Sequence, residues 1–191
     1  MSIMIDTVIA EALEVLKRGG VILYPTDTVW GIGCDATNEA AVARVFEIKH
    51  RSEAKSLVML ACDLDMVAKH VKEIPNIAID LVEVNDAPMT IIYPGAQYLA
   101  PNVVAEDGSV GIRIPMNEFC VKLVRRLRRP LVSTSANISG EETPECFAEI
   151  SPEIVSAVDY VVPAALERDS TGRASQIIKL GLRGEVEIIR P

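Results

Sequence analysis

An α/β fold, layered three deep around a mixed sheet, is what this 191-residue sequence predicts. Three observations carry that prediction. Apolar runs of strand length recur along the whole chain, amphipathic stretches of helical period interleave with them, and Gly or Pro punctuates the junctions. The length suits one sizeable core, and with no internal repeat or low-complexity linker we read a single domain over 1–191.

Each element follows from local chemistry. Asp6 reads as the cap of a first helix, in which Ile9, Leu13 and Leu16 share a face and which Gly19-Gly20 ends. A strand covers 21–24. Asn38 caps a second helix, where Val42, Val45, Phe46 and Lys49 keep the helical period and basic residues follow off the C-terminal end. A strand at 57–61, two short helices at 64–71 and 76–84, and a strand at 89–93 broken by Pro94-Gly95 come next. After a strand at 110–114, Asn117 caps a helix reaching 128, with Phe119, Leu123, Val124 and Leu127 on its buried side. Pro130 opens a strand at 130–132, and strands at 160–162, 176–180 and 186–189 complete the chain.

Composition removes several function classes. Charges interrupt every apolar run before the roughly 20 residues that span a bilayer, and the N-terminus lacks a basic start and a cleavage site, so a cytoplasmic protein without membrane association is expected. The four cysteines (34, 62, 120 and 146) show no Cys-x-x-Cys spacing and only two histidines accompany them, so no protein-held metal site is expected. Cys34 is read as an inert buried thiol rather than a nucleophile. A net charge of -8 disfavours nonspecific coating of nucleic acid, whereas local basic clusters suit a small anionic ligand such as a nucleotide.

Two hydroxyl-rich segments, 24–33 and 133–137, each follow a short apolar run, and both are expected to leave the sheet where their donors face a ligand. Glycines at 31 and 33 allow close backbone approach, or mark a plain turn. Lys49, Arg51 and Lys55 place three cations within seven residues, as helix-end charge or as a polyphosphate grip. Ser133, Ser135 and Asn137 alternate, which on an extended segment aims them to one side. The basic run from Lys122 to Arg129 reads as the solvated face of its helix, and the loop 163–174 with Gly172 as a surface loop or lid.

Taken together, Pro-Thr-Asp-Thr-Val-Trp-Gly-Ile-Gly-Cys-Asp-Ala at 25–36, Ile-Lys-His-Arg-Ser-Glu-Ala-Lys at 48–55, Val-Gly-Ile-Arg-Ile-Pro at 110–115 and Ser-Thr-Ser-Ala-Asn-Ile-Ser-Gly at 133–140 resemble the YrdC/Sua5 family. The resemblance implies a three-layer YrdC-like fold (α+β under a stricter classification), with a twisted mixed sheet and a concave positively charged cleft. It implies formation of threonylcarbamoyl-AMP and pyrophosphate from L-threonine, bicarbonate and ATP, for modification of adenosine 37 in transfer RNA. By the same likeness Lys49 and Arg51 carry catalysis; Arg51, Lys55, Ser133, Ser135, Asn137 and Arg190 bind nucleotide; and Thr28, Arg113 and Ser175 bind L-threonine. Mg2+ accompanies ATP, with no organic cofactor. Partner proteins of a threonylcarbamoyl transferase complex and weak RNA binding are further expectations. Trp30 stands where many members carry tyrosine, and Ser52 and Ser56 replace frequent prolines. Two other readings stand beside this one: a noncatalytic RNA-binding paralogue, and the carbamoyl-adenylate chemistry of hydrogenase maturation.

Overall fold

The computed structural model describes residues 2–51, 57–168 and 170–191. In chain order its regular elements are α1 (Ser2–Lys17), β1 (Ile22–Tyr24), β2 (Gly31–Gly33), α2 (Glu39–Ile48), β3 (Val58–Leu60), α3 (Leu64–His70), α4 (Asn76–Val84) and β4 (Met89–Tyr93). Then follow β5 (Val110–Arg113), α5 (Glu118–Leu127), β6 (Leu131–Ser135), α6 (Pro152–Ala157), β7 (Tyr160–Val161), β8 (Gln176–Leu180) and β9 (Val186–Arg190). The strands form one mixed sheet in the order β7-β1-β2-β6-β3-β5-β4-β8-β9. Pairing is parallel for β1 with β7, β3 with β5 and β4 with β8, and antiparallel between the other neighbours.

Caps place the helices where the sequence puts them. Asn38 accepts from Ala41 N–H at 3.1 Å and Asn117 from Cys120 N–H at 3.1 Å, each satisfying an otherwise orphan amide. The helix α5 ends because Arg128 turns left-handed at φ 60°. It packs on α1, burying Phe119, Leu123, Val124 and Leu127.

Four local readings need correction. Asp6 is not a cap: α1 begins four residues earlier, at Ser2, and the carboxylate pairs with Arg126 at 2.6 Å, tying α1 to α5. Residues 133–135 do not leave the sheet but form the second half of β6, hydroxyl side chains being no bar to a paired strand. Gly31–Gly33, read as close ligand approach or a plain turn, is no turn but the strand β2, whose low-propensity glycines hide it from a pattern search, and Gly31 does line the cavity. Helix α6 was unread, although Ser151 caps it and Pro152 starts it.

Close packing explains Gly33. A Cβ there would lie 2.1 Å from the Val132 carbonyl oxygen and 2.8 Å from the Tyr24 ring. Tyr24 is itself buried and donates its hydroxyl to that same carbonyl at 3.1 Å, so neither neighbour has room to yield. Gly33→Ala is therefore expected to cost about 3 kcal/mol through overpacking, read as a fall in Tm of roughly 6–12 °C.

The sheet has two different faces, set by the two-residue period of a strand. In β4, Met89, Ile91 and Tyr93 enter the core while Thr90 and Ile92 line a cavity; in β8, Leu180 is in the core while Ile177 and Lys179 line it. Register aligns the cavity-facing residues in rows. One row crosses six strands as Ser133, Val58, Gly111, Ile92, Lys179 and Glu187. The next runs Arg113, Thr90, Ile177 and Arg190.

Candidate functional site

Those two rows floor a cavity of about 880 Å³. Of the residues singled out from sequence, Thr28, Arg51, Arg113, Ser133, Ser135, Ser175 and Arg190 line it. Lys49 and Asn137 do not, and Lys55, with Ser52 and Ser56, lies outside the described residues.

Thr28 and Arg113 meet in one buried network. Arg113 Nη1 donates to Asp27 Oδ1 at 2.8 Å and to Thr28 Oγ1 at 3.1 Å. Asp27 Oδ2 accepts from Met116 N–H at 3.0 Å, which fixes the carboxylate and hence the guanidinium. Arg113 Nε is buried and has no acceptor among the described residues, an unspent donor at a cavity wall. The loop at 163–174 is strapped to this network: Thr171 and Gly172 give their N–H groups to the Asp27 and Thr28 carbonyls at 3.1 and 2.9 Å, and Ser170 Oγ also donates to Thr28 O.

Ser175 reaches the same wall from the start of β8. Its hydroxyl bonds that of Thr90 at 2.8 Å, and its carbonyl accepts from Arg190 Nε at 2.8 Å. Burial, and then the nearby Arg113 guanidinium, lower the Arg190 pKa. Two arginines converging on one half-buried wall favour an anion between them.

Lys49 is placed otherwise. Its side chain, 2% exposed, gives Nζ hydrogen bonds to the carbonyls of Ser135 and Asn137 at 2.5 and 2.6 Å and to Asn137 Oδ1 at 3.4 Å. Burial, then the Arg51 guanidinium, lowers its pKa to about 8. The amide of Asn137 donates to Ile138 O at 3.1 Å and Glu141 O at 2.9 Å. Both side chains thus hold the turn after β6, and through it the two serines, rather than pointing at the cavity.

The cleft is positive over only part of its length. Arg51, Arg113 and Arg190 line it, and Lys179 pairs with Asp107 at 2.7 Å, while Glu106 and Glu187 also line it. The second basic run is the exposed face expected of it: Arg125, Arg126, Arg128 and Arg129 are exposed, and at that surface Lys122 pairs with Glu118, Arg126 with Asp6 and Arg129 with Asp35.

Cys34 and Cys120 are buried and burial raises both thiol pKa values, which leaves them inert. Among the described residues no cluster of three or more His, Cys, Asp or Glu forms, and no helix is long and apolar enough to cross a membrane. Sequence reading missed Thr90, Lys179 and Asp107. Thr90 carried a usable signal, a polar residue alternating with Met89 and Ile91 in an apolar strand. Asp107 carried none, since only folding brings its turn to β8.

A family model labelled Sua5_yciO_yrdC, with the description telomere recombination, matches residues 14–191. The chain belongs to the Sua5/YciO/YrdC family. It is 31% identical over 159 residues to a threonylcarbamoyl-AMP synthase of Hahella chejuensis, an alignment covering 83% of this chain and 86% of that one. Among solved structures, P. abyssi Sua5 complexed with L-threonine is similar with a TM-score of 0.80 and 26% identity, over 90% of this chain and 50% of that one. The H234A/Y235A form of P. abyssi Sua5 gives a TM-score of 0.86 at 27% identity, over 96% of this chain and 56% of the other, so this chain spans about half the length of Sua5. E. coli YciO, at 23% identity and a TM-score of 0.79, covers 96% of this chain and 88% of its own, and shares the fold.

Proposed function

We propose that this protein is an L-threonylcarbamoyladenylate synthase, forming threonylcarbamoyl-AMP and pyrophosphate from L-threonine, bicarbonate and ATP, for modification of transfer RNA. The observation that carries the reading is the convergence of Thr28, Arg51, Arg113, Ser133, Ser135, Ser175 and Arg190 on one cavity. Relatives named for that activity support it.

The chemistry asks for positioning more than for a protein nucleophile. The threonine amine combines with bicarbonate to give a carbamate and water. A carbamate oxygen then attacks the α-phosphorus, the bond to the β-phosphate oxygen breaks, and pyrophosphate leaves with the released charge. Arg51 neutralises that charge, with Ser133 and Ser135 as neutral donors to the nucleotide. Arg113 Nε takes the threonine carboxylate, and Arg190 closes the anionic side. Mg2+ enters with ATP on phosphate oxygens and water. The carboxylates Glu106, Asp107 and Glu187 along the far part of the cleft disfavour polyanionic RNA as the principal ligand.

Pyrophosphate release from ATP and bicarbonate tests this directly. Release that requires L-threonine and is weaker with serine is expected. Release that requires carbamoyl phosphate instead, or tight salt-dependent RNA binding without turnover, would overturn it.

A further inference from the structure

We propose that Thr26 is a positioning residue: it fixes the direction of the Thr28 hydroxyl, and so makes this cavity select a ligand carrying a hydroxyl donor beside its carboxylate. The inference rests on the functional reading above and names a determinant of substrate choice within it.

Proton counting gives the direction. Thr26 Oγ1 has one proton, and a carbonyl can only accept, so the 2.7 Å contact with Val29 O consumes it. Thr26 Oγ1 also accepts the Thr28 N–H at 3.0 Å. Its 2.9 Å contact with Thr28 Oγ1 must then carry the proton of Thr28 toward Thr26. Arg113 Nη1, which can only donate, occupies one acceptor site of Thr28 Oγ1 at 3.1 Å. One lone pair is left, and no donor among the described residues takes it.

Burial makes the direction hold. Thr26 is 1% exposed and Thr28 and Arg113 are each 4% exposed, so the bonds within the network are shielded from water although Thr28 and Arg113 also line the cavity. The wall therefore offers an acceptor-only hydroxyl at Thr28 beside a donor-only nitrogen at Arg113 Nε, whose own acceptor is missing among the described residues. A carboxylate satisfies the second and an O–H or N–H satisfies the first. In an amino acid that must be carboxylated on nitrogen, the donor that survives the whole reaction unchanged is a side-chain hydroxyl. An acceptor-only group at that place would set lone pair against lone pair.

Calorimetry with L-threonine and O-methyl-L-threonine, against wild type, Thr26→Ser and Thr26→Val, reads this selection. Wild type and Thr26→Ser are expected to prefer L-threonine by about tenfold or more. In Thr26→Val the Thr28 hydroxyl is released to donate, and the ratio is expected to fall below about threefold. Equal weakening of both ligands, with the ratio kept, would make Thr26 merely structural and sink the proposal. The ligand-free protein gives a second reading by NMR. The Thr28 hydroxyl proton is expected to exchange slowly and to show a contact with Thr26; fast exchange in wild type would overturn the assigned direction, and this reading stands even if Thr26→Val does not fold. Absence of L-threonine binding by wild type would defeat the synthase reading instead, leaving the hydroxyl spectrum to decide the role of Thr26.

Discussion

Arg51→Ala is expected to lower kcat/KM for ATP by about 100-fold while leaving the protein folded. The backbone at this position is held independently of the side chain. Helix α2 ends at Ile48, Lys49 caps it, His50 turns left-handed at φ 49°, and the Arg51 N–H returns to the Phe46 carbonyl at 2.9 Å. That closing turn delivers the guanidinium to the cavity, where burial lowers its pKa. A half-buried guanidinium facing phosphate makes charge-assisted bonds worth about 1.5 to 3 kcal/mol each, and each 1.36 kcal/mol is a factor of ten in rate. Because pyrophosphate gains charge as it leaves, the loss should fall on kcat as well as on nucleotide affinity. Arg51→Lys keeps the charge without the planar fork and should recover part of the loss. Unchanged kinetics in a folded Arg51→Ala protein would remove Arg51 from the site.

Lys49→Met is expected to act on stability first, costing about 3 kcal/mol in a urea titration because partly buried acceptors lose their charged donor. The three acceptors are the carbonyls of Ser135 and Asn137 and the Asn137 side-chain oxygen. The backbone carbonyl of Lys49 also accepts from Ser139 N–H at 2.8 Å, so a single residue joins the end of α2 to both sides of the turn after β6. Losing that joint should shift Ser133 and Ser135, and turnover should fall with them. The comparison separates two roles that sequence alone ran together. A mutant as stable as wild type but without turnover would return Lys49 to the catalytic role implied by family likeness.

Much of the architecture was legible because its signals are local. Asn38 and Asn117 lie one residue before the helices they cap, and the apolar period of α5 names its buried face without reference to any neighbour. The strands β4 and β8 were readable to the residue, since the Pro94-Gly95 break and the apolar runs sit within them or beside them. Asp6 misled because a carboxylate four residues inside a helix looks like a cap until the distant Arg126 is known to be its partner.

Residue types at the site were likewise written in the sequence, where Thr-Asp-Thr, Lys-x-Arg and Ser-Thr-Ser-Ala-Asn declare hydroxyls, cations and a family. Which of them face the ligand was decided only by tertiary structure. Register between strands distant in sequence set Arg113 beside Thr90 and Ser133 beside Val58, and placed Arg190 against Ser175. The same packing withdrew Lys49 and Asn137 into a turn, set Arg126 against Asp6 and brought Asp107 to Lys179. The division has one physical cause. Caps, periods and turns depend on neighbours along the chain, whereas the direction of a side chain and the partner that spends its hydrogen bonds depend on strands that only the folded sheet brings together.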